Sequence, residues 1–307
     1  FTFDTGPSWY LMKDVFENYF NLFNKKTTDY YALAKLSPAY KVFFDNKKPV
    51  LITDNLKETL STFESIEPGS SLKLEEYLQI SEENYNLALK YFLYNPFKSF
   101  SQLKQKEVLS KLPNMFGLFT KNLHSYLKKY FQNVQLQQIL EYPSVFLGAS
   151  PFNTPGLYQL MSYLDFKEGV YYPKKGGMYT LTESLVELGL ELGVRYHYNS
   201  SVQKIIVSKS KAEGIEVNGT QKFADIVVSN ADLHFTETKL LDSKHRTYPQ
   251  EYWDKKEAGP SALLLYLGIK GSLPELEHHN LFFIDEWQRN FDDIYKDRVW
   301  PKRASMY

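Results

Sequence analysis

One stretch of the chain, residues 169–232, combines glycine turns, a helical repeat and a hairpin signal. Thr180 and Glu183 have the spacing of a capping box, so a helix is predicted to start just after Gly176 and Gly177. The apolar stripe of this helix and its glycine stop are formed by Leu181, Leu185, Leu188, Leu192 and Gly193. The stretch therefore begins with a glycine turn that leads into an amphipathic helix.

The second half of the stretch predicts strands. Val194–Tyr198 and Val202–Val207 are β-rich, and the pair Asn218-Gly219 is a strong hairpin signal. Ile226–Val228 is apolar on both faces, which is typical of a strand inside a layered sheet. The order of elements predicts an α/β fold, either as a plain helix on a sheet or with glycines that let a ligand approach the backbone.

Other segments carry weaker local patterns. Phe1–Pro7 alternates like a strand that ends in a turn, and Ser261–Ile269 is nearly all apolar and predicts a strand. The long segment 72–146 is mostly helical and aromatic, and part of residues 80–130 fits either a packed surface helix or a helix in a membrane interface. Shorter patterns predict a hairpin from Tyr40, helices at 157–164 and 233–241, and a strand at 281–284.

Composition excludes several functions. Acids and bases balance at 36 each, so the chain has no field that would attract nucleic acid. There is no cysteine, which excludes disulfides, thiol catalysis and thiolate-bound metals, and which fits a reducing compartment. His278 and His279 do not predict a metal site, because adjacent residues on a strand point to opposite faces. The 24 tyrosines and 22 phenylalanines, with no apolar run of about 18 residues, predict large apolar surfaces other than a membrane span.

Long segments of the sequence resemble the phytoene (carotenoid) desaturase family. They are FTFDTGPSWYLM at the start, FLGASPFNTPGLYQLMSYLDFKEGVYYPKKGGMY in the middle, and the glycine-turn stretch that follows. The resemblance implies an FAD-dependent flavoprotein related in fold to the amine oxidases. Its fold class would be α/β (α+β mixed), with a partial FAD-binding, glutathione-reductase-like domain and a mixed-sheet and helical substrate domain.

The resemblance also divides the chain. Residues 1–10 would form a strand and a turn near the flavin, and residues 11–168 mainly the substrate domain with its helical, membrane-facing part. Residues 169–241 would belong to the FAD-binding domain, and residues 242–307 to the substrate-domain sheet. The family's GxGxxG fingerprint is absent and is expected before Phe1, with a last flavin-contacting segment expected after Tyr307. As such an internal fragment, the chain is expected to bind FAD weakly or not at all and to have no turnover.

Site residues follow from the same resemblance. FAD binding is implied for Asp4, Gly6, Pro7, Gly176, Gly177, Met178, Val202, Asn230 and Ala231. The substrate tunnel is implied for Phe146, Leu147, Pro151, Phe152, Leu157 and Met161. No catalytic residue is predicted, because Asn133, Val134 and Gln137 occupy the helix on which some members carry an acid and an arginine. The sequence YPKKGG also has one lysine more than the family's usual YPxGG, so the geometry of the turn is not carried over.

The implied function is desaturation of phytoene or a C30 analogue, with hydride transfer to the flavin. The alternatives are a carotene isomerase, a ketolase, an amine-oxidase-like flavoenzyme, or a hydrophobic lipid carrier without catalysis. The expected partners are a carotenoid or isoprenoid substrate and a membrane surface. The expected location is cytoplasmic and peripheral to the membrane, and the sequence predicts no particular oligomeric state.

Overall fold

The protein divides into two compact units. The computed structural model describes residues 2–95 and 117–307. The first unit comprises Phe1–Leu185 and Pro260–Tyr307, and the second comprises Val186–Gly259. Both units mix helices with short strands, so the predicted mixed α/β class is confirmed. The assignment of ranges to cofactor and substrate domains stays a prediction.

The regular elements are short, apart from three helices. The helices are α1 (Lys13–Asn21), α2 (Leu56–Ile66), α3 (Ser70–Ala88), α4 (Leu123–Leu127), α5 (Val134–Glu141), α6 (Met161–Tyr163), α7 (Tyr179–Glu191), α8 (Leu233–Phe235), α9 (Gln250–Asp254) and α10 (Trp287–Asp292). The strands are β1 (Leu33–Lys35), β2 (Tyr40–Phe44), β3 (Val50–Ile52), β4 (Tyr171–Pro173), β5 (Val202–Ser208), β6 (Lys211–Val217), β7 (Thr220–Phe223) and β8 (Asn280–Phe283). Single π-helical or 3₁₀ turns extend several helices, so residues 156–168 are helical throughout.

The strands of the first unit form two small sheets within the described part of the chain. In one, β1 pairs with β4 in antiparallel orientation, with Leu33 opposite Pro173. In the other, β2 lies between β3, which is antiparallel, and β8, which is parallel. Alternate residues of β2 are buried, beginning with Tyr40 and Val42, as the period of a strand requires. The predicted hairpin from Tyr40 and the predicted strand at 281–284 are confirmed.

Asparagine caps begin three of the helices in this unit. The Asn55 side chain accepts the Lys57 N–H at 3.1 Å at the start of α2. Asn122 and Asn133 do the same for α4 and α5, where each accepts a backbone N–H at 2.8 Å. These caps satisfy donors that the first turn of a helix leaves free, which explains why the helices begin where they do.

The core of the first unit is aromatic. Phe63, Tyr77 and Phe131 are fully buried, and their rings meet near right angles, with Phe63 and Phe131 centroids 6.1 Å apart. Such edge-on pairs add about 0.5–1.5 kcal/mol beyond the area that they bury. The predicted helical, aromatic segment is confirmed where the structure describes it. Residues 96–116, which belong to the stretch predicted to face a membrane, lie outside the described residues.

The second unit is built on an antiparallel meander of β5, β6 and β7. The turn between β6 and β7 is Asn218-Gly219, with φ of 50° and 73°, so the predicted hairpin is confirmed. Positive φ at both central residues gives the turn the twist of the flanking strands. The turn between β5 and β6 uses Lys209 and Ser210 in the same conformation, without a glycine.

Four predicted strands are wrong. Residues 2–9 form no strand, and Tyr10 makes only an isolated bridge to Tyr171. Residues 194–198, 226–228 and 261–269 are irregular as well, and most of their apolar side chains are exposed. The physical reason is common to all four: strand propensity alone does not order a segment, because its backbone also needs a neighbouring edge to pair with.

The predicted capping box at Thr180 is also wrong. Helix α7 begins one residue earlier, and the Thr180 hydroxyl donates to the Lys175 carbonyl at 2.8 Å rather than capping the helix. The predicted glycine stop is confirmed, since Gly193 ends the segment with φ of 83°. In its apolar stripe only Leu188 is buried, whereas Leu185 and Leu192 are exposed. Within residues 2–95 and 117–307, no helix is long and apolar enough to cross a membrane.

Candidate functional site

The carboxylate of Asp4 joins the start of the chain to the glycine turn. Its Oδ1 accepts the Met178 N–H at 2.9 Å, and its Oδ2 accepts the Tyr172 hydroxyl in a short hydrogen bond. These partners are 174 and 168 residues away in sequence. The structure therefore brings together two of the segments that the sequence singled out for the same site.

Backbone pairing holds the two segments in register. The Tyr10 N–H donates to the Tyr171 carbonyl at 3.0 Å, and the Tyr171 N–H donates back to Tyr10 at 3.2 Å. The Lys13 ammonium then donates to the Tyr171 hydroxyl at 2.9 Å. Because residues alternate sides along β4, Tyr171 and Tyr172 point to opposite faces, and Tyr172 is left free to reach Asp4.

The glycines of the turn are required by its geometry. Gly176 and Gly177 have φ of 75° and 64°, a region that other residues enter at a cost of about 1–2 kcal/mol. A Cβ on Gly177 would lie 2.7 Å from Asp4 Oδ1 and 3.1 Å from the Tyr172 hydroxyl. Before the glycines, the Lys174 N–H donates to the Ala32 carbonyl at 2.9 Å, and Lys174 and Lys175 are both exposed. The chain then enters α7 at Tyr179.

Tyr172 and His278 set the electrostatics around Asp4. Burial, with the hydrogen bond and negative charge of Asp4, raises the pKa of Tyr172 to about 12. The His278 ring lies edge-on to Tyr172, with centroids 4.5 Å apart. Burial lowers the pKa of His278 and outweighs the opposite effect of Asp4. At neutral pH the Tyr172 hydroxyl therefore keeps its proton, and the His278 imidazole is neutral.

The remaining residues of the first unit that were predicted to bind cofactor leave room beside this turn. Gly6 and Pro7 are exposed, and among the described residues no atom lies within 4 Å of the position that a Cβ on Gly6 would take. Gly176 is exposed and Met178 is half-buried. A flat ring system could therefore approach the backbone at Gly6, which fits the flavin that the sequence implies, whereas at Gly176 the Thr180 hydroxyl lies against the Cβ position.

The residues predicted to bind cofactor in the second unit line one cavity. Val202, Asn230 and Ala231 all lie in the wall of a cavity of about 540 Å³. The wall is formed by the meander and by residues 224–231, of which Ile226 and Val228 are exposed. Cavities of this size, mostly apolar with a few polar groups, are typical of cofactor sites. The structure brings these three residues together, and their cofactor role stays a prediction.

The six predicted tunnel residues differ in their packing partners and in their exposure. Phe146 packs on Trp9 and Tyr142, with each ring centroid 5.7 Å away, and Leu147 beside it is exposed. Phe152 instead packs on the His124 ring at 4.5 Å and lines a cavity of about 310 Å³. The others lie along the chain with different exposure: Pro151 is buried, and Leu157 and Met161 are half-buried.

Sequence reasoning missed the side chains that complete these arrangements. Tyr172 meets Asp4, and His278 meets Tyr172, only through the fold, and no local pattern in the sequence pairs them. The same holds for Glu141, which is fully buried and accepts from both His124 and Trp287 at 2.7 Å. The sequence did contain one signal for this arrangement, which is the position of Glu141 among apolar residues of a predicted helix. An acid in such a position predicts hydrogen-bond partners, because buried acids are almost always paired.

We expect Tyr172→Phe to lower the free energy of unfolding by about 1–2 kcal/mol, because Asp4 loses one of its two hydrogen bonds. Urea unfolding would measure the change. Tyr171→Phe is the matched control, since the Tyr171 hydroxyl contacts Lys13 rather than Asp4. Equal and negligible losses for the two variants would show that the Asp4 contact does not stabilise the turn.

Comparison with known proteins shows a family match and several similar proteins. The family described as flavin containing amine oxidoreductase matches residues 1–269. The carotenoid 3,4-desaturase of Haloarcula japonica is 41% identical over 307 residues, which cover all of this chain and 62% of that protein. A zeta-carotene-forming phytoene desaturase of Myxococcus xanthus is 31% identical, covering all of this chain and 58% of that protein. A 4,4'-diapophytoene desaturase of Staphylococcus haemolyticus is 30% identical, covering all of this chain and 62% of that protein.

The mixed helix-and-strand fold and the family match define the class: the chain belongs to the flavin containing amine oxidoreductases. Within that family, the relatives named above are carotenoid and phytoene desaturases, so the resemblance seen in the sequence is confirmed. The chain spans about 58–62% of the length of these relatives.

Proposed function

We propose that the full-length protein is an FAD-dependent desaturase that acts on a carotenoid or on its precursor. The observation that carries this proposal is the match along all 307 residues to the carotenoid 3,4-desaturase of Haloarcula japonica. The family match supplies the flavin. FAD, as the particular flavin, is proposed from the resemblance of the Asp4 and Gly177 segments to the corresponding family motifs.

The geometry around Asp4 supports a role in holding the flavin. Asp4 fixes the Met178 N–H and the glycine turn, while Gly6, Pro7 and Gly176 leave exposed backbone beside them. When bound, the flavin would accept a hydride from the substrate. The residues of this chain would then supply binding, orientation and exclusion of water. Val202, Asn230 and Ala231 keep their proposed role in binding FAD, through the cavity that they line.

The substrate would be held by burial rather than by polar contacts. A polyene has no polar group, and burying it contributes about 25 cal/mol for each Å² of apolar surface. Phe146 and Leu147 are exposed by about half and offer such surface, and Phe152, Leu157 and Met161 lie half-buried along the following chain. We propose that these residues contact the hydrocarbon, which would reach the protein from a membrane surface. The proposed location is cytoplasmic and peripheral to that membrane.

The relative with the highest identity named here favours one class of substrate. Its name gives a carotenoid and a 3,4-desaturation, whereas the relatives near 30% identity are named for phytoene or diapophytoene. We therefore propose a partly desaturated carotenoid as the first substrate to test, with phytoene second. The 307-residue chain alone is proposed to hold FAD weakly and to have no turnover.

The test uses the full-length protein, purified and then incubated in vesicles with either phytoene or a coloured carotenoid. We expect a bound flavin absorbance spectrum and a product with at least one added double bond, seen as a red shift and a mass loss of two hydrogens. A flavin-loaded protein that changes only double-bond geometry would be an isomerase. A protein that carries the lipid but no flavin would be a carrier, and either result would reject the proposal.

A further inference from the structure

A cluster of aromatic rings lies inside the first unit, next to Phe146. The Trp9 ring contacts Tyr40, Tyr142 and His279, with centroids 5.1, 5.8 and 4.9 Å away. Tyr40 and Tyr142 also contact each other at 5.6 Å. We call Trp9, Tyr40, Tyr142 and His279 the ring cluster. Its aromatic faces would give an ordinary core, but each member also carries a polar group.

A buried acid is bonded to this ring cluster. Asp165 is 5% exposed, and its Oδ2 accepts the Tyr40 hydroxyl at 2.7 Å. Burial raises the pKa of Asp165 to about 7, and the hydrogen bond from Tyr40 opposes that rise only in part. The titratable groups that face it are Tyr40 and Tyr142, and burial followed by the charge of Asp165 raises the pKa of both. No cation in the described parts of the chain shifts its pKa, so Asp165 exchanges a proton near neutrality.

Within residues 2–95 and 117–307, four buried polar atoms in and around the ring cluster make no hydrogen bond of ordinary geometry, although Trp9 lies near the Tyr307 hydroxyl, Tyr142 near the Tyr40 hydroxyl and His279 near the Ala39 backbone. They are Trp9 Nε1, Tyr142 Oη, Asp165 Oδ1 and His279 Nδ1. Buried polar groups in proteins are almost always paired, and ordered water is the usual partner when no side chain is available. Several such atoms around one group of rings therefore indicate a place for internal water. Such water would link Asp165 to the other polar groups of the cluster.

Hydrogen-bonding groups connect the ring cluster to the protein surface. His279 Nε2 lies 3.1 Å from the Ser8 carbonyl oxygen and 3.2 Å from the Ser8 hydroxyl, and that hydroxyl bonds to the Tyr307 hydroxyl. Tyr307 is 63% exposed. On its other side the cluster touches Phe146, a proposed substrate contact, through both Trp9 and Tyr142. A proton taken up inside the cluster thus has hydrogen-bonding groups on the way to solvent.

Desaturation creates a need for such a group. Converting a C–C single bond to a double bond removes two hydrogens: one leaves as a hydride, which oxidised flavin accepts, and one leaves as a proton. The electron pair of the second C–H bond becomes the new π bond, so a base must take that proton. A base works best when its pKa is close to the working pH, and it can act directly or through one water molecule.

We propose that Asp165, acting through Tyr40, Tyr142 and internal water, accepts the proton that the substrate loses. This inference rests on the proposed desaturase function. The Asp165 carboxylate would bind the proton, at Oδ2 when Tyr40 relays it, and the proton would then pass through the ring cluster to solvent, so that the carboxylate is regenerated for the next turnover. Asp165 is bonded to the ring cluster through Tyr40, and the ring cluster contacts Phe146, a proposed substrate contact, through Trp9 and Tyr142.

Kinetics of the full-length protein would test the assignment with Asp165→Asn and Tyr40→Phe. For Asp165→Asn we expect unchanged flavin content and KM, and a kcat lower by about 100-fold or more, the range for losing a general base. In the wild type kcat should rise with pH through about 7, and Asp165→Asn should abolish that rise. Asp293→Asn is the matched control, since Asp293 is equally buried but pairs with Arg289. A kcat and pH profile that are the same for Asp165→Asn and wild type would overturn the inference while leaving the desaturase proposal intact.

Infrared spectroscopy supplies a readout that needs no turnover. The C=O stretch of a protonated, buried carboxyl should be present at about pH 5 and absent at about pH 9 in the wild type, because the pKa lies between them. The band should be missing in Asp165→Asn and retained in Asp293→Asn. If Asp165→Asn does not fold, Tyr40→Phe should still move the band, because it removes the hydrogen bond to Oδ2. A band that neither variant alters would overturn the assignment even in a protein that binds no flavin.

Stability should follow the same titration. The pKa of Asp165 is higher in the folded state than in the unfolded state, so the folded state binds the proton more tightly. The stabilising contribution is therefore complete below about pH 4 and is lost as the pH rises through about 7. Urea unfolding at a series of pH values should show this loss in the wild type and not in Asp165→Asn. A loss of the same size in both proteins would assign it to another group.

Discussion

Replacing Glu141 with alanine is expected to lower the free energy of unfolding by about 3–5 kcal/mol, the range for breaking a buried pair. Glu141 has no exposed surface, and its two oxygens accept from His124 Nδ1 and Trp287 Nε1 at 2.7 Å each. Alanine would leave the buried indole N–H without a partner, which alone costs about 1–3 kcal/mol. It would also leave a cavity between α5 and α10, because the surrounding chains relax only partially.

Two control variants show whether the loss of stability comes from the buried hydrogen bonds of Glu141. One removes its charge and keeps its shape, and the other removes an exposed acid nearby. Glu141→Gln keeps the shape: its amide oxygen can accept from Trp287 and its NH₂ can donate to the other tautomer of His124, so we expect a much smaller loss. Glu286→Ala removes an exposed acid that, like Glu141, lines the cavity of about 310 Å³. Glu286 pairs with Arg303, and an exposed ion pair of this kind contributes about 0–1 kcal/mol to stability. Urea unfolding measures all three variants. If Glu141→Ala cost no more than Glu286→Ala, the buried bonds would contribute nothing to stability.

The fold was predictable from the sequence where the signal is local. Asn218-Gly219 specifies its own turn, because both residues tolerate positive φ, and the hairpin is present. Gly193 ends its helix for the same reason. The segment 72–146 was predicted to be mostly helical and aromatic, and it contains most of α3 and all of α4, with Tyr77 and Leu123 buried. In each case a few neighbouring residues determine the conformation.

Prediction failed where a conformation depends on distant partners. Residues 226–228 and 261–269 have the composition of buried strands, yet both are irregular and Val228 is 84% exposed. Composition measures how well a segment would fit a sheet, and it does not measure whether an edge is available. By contrast β8, with the same kind of composition, forms because β2 offers a parallel edge.

In the candidate site too, the sequence predicted positions but not the contacts between distant residues. The resemblance placed Asp4 and Gly177 in one site, and the structure does bring them together. It did not single out Tyr172 as the second partner of Asp4, nor Asp165 as the acid behind the ring cluster. Both depend on distances between residues that are more than 100 positions apart in sequence, so no local pattern contains them. Motifs mark positions, and the fold adds the partners that decide their chemistry.

Gly177→Ala is expected to remove the Asp4 contact and with it most of the flavin from the full-length protein. A Cβ would lie 2.7 Å from Asp4 Oδ1, and φ at this position is 64°. The unfavourable φ costs about 1–2 kcal/mol. The displaced carboxylate loses two hydrogen bonds, which brings the expected loss of stability to about 3 kcal/mol. Flavin content per protein from the absorbance spectrum and stability from urea unfolding measure the two effects.

Two other glycines separate the causes. Gly193 also has positive φ, at 83°, but nothing lies within 4 Å of its Cβ position, so Gly193→Ala should show the backbone cost of about 1–2 kcal/mol alone and keep the flavin. Gly6 has open space and ordinary φ, so Gly6→Ala should change stability by less than about 0.5 kcal/mol. If Gly193→Ala lost as much flavin as Gly177→Ala, the loss would come from the helix and not from Asp4. If Gly177→Ala lost stability and kept its flavin, the Asp4 contact would only stabilise the fold, and the flavin would bind elsewhere.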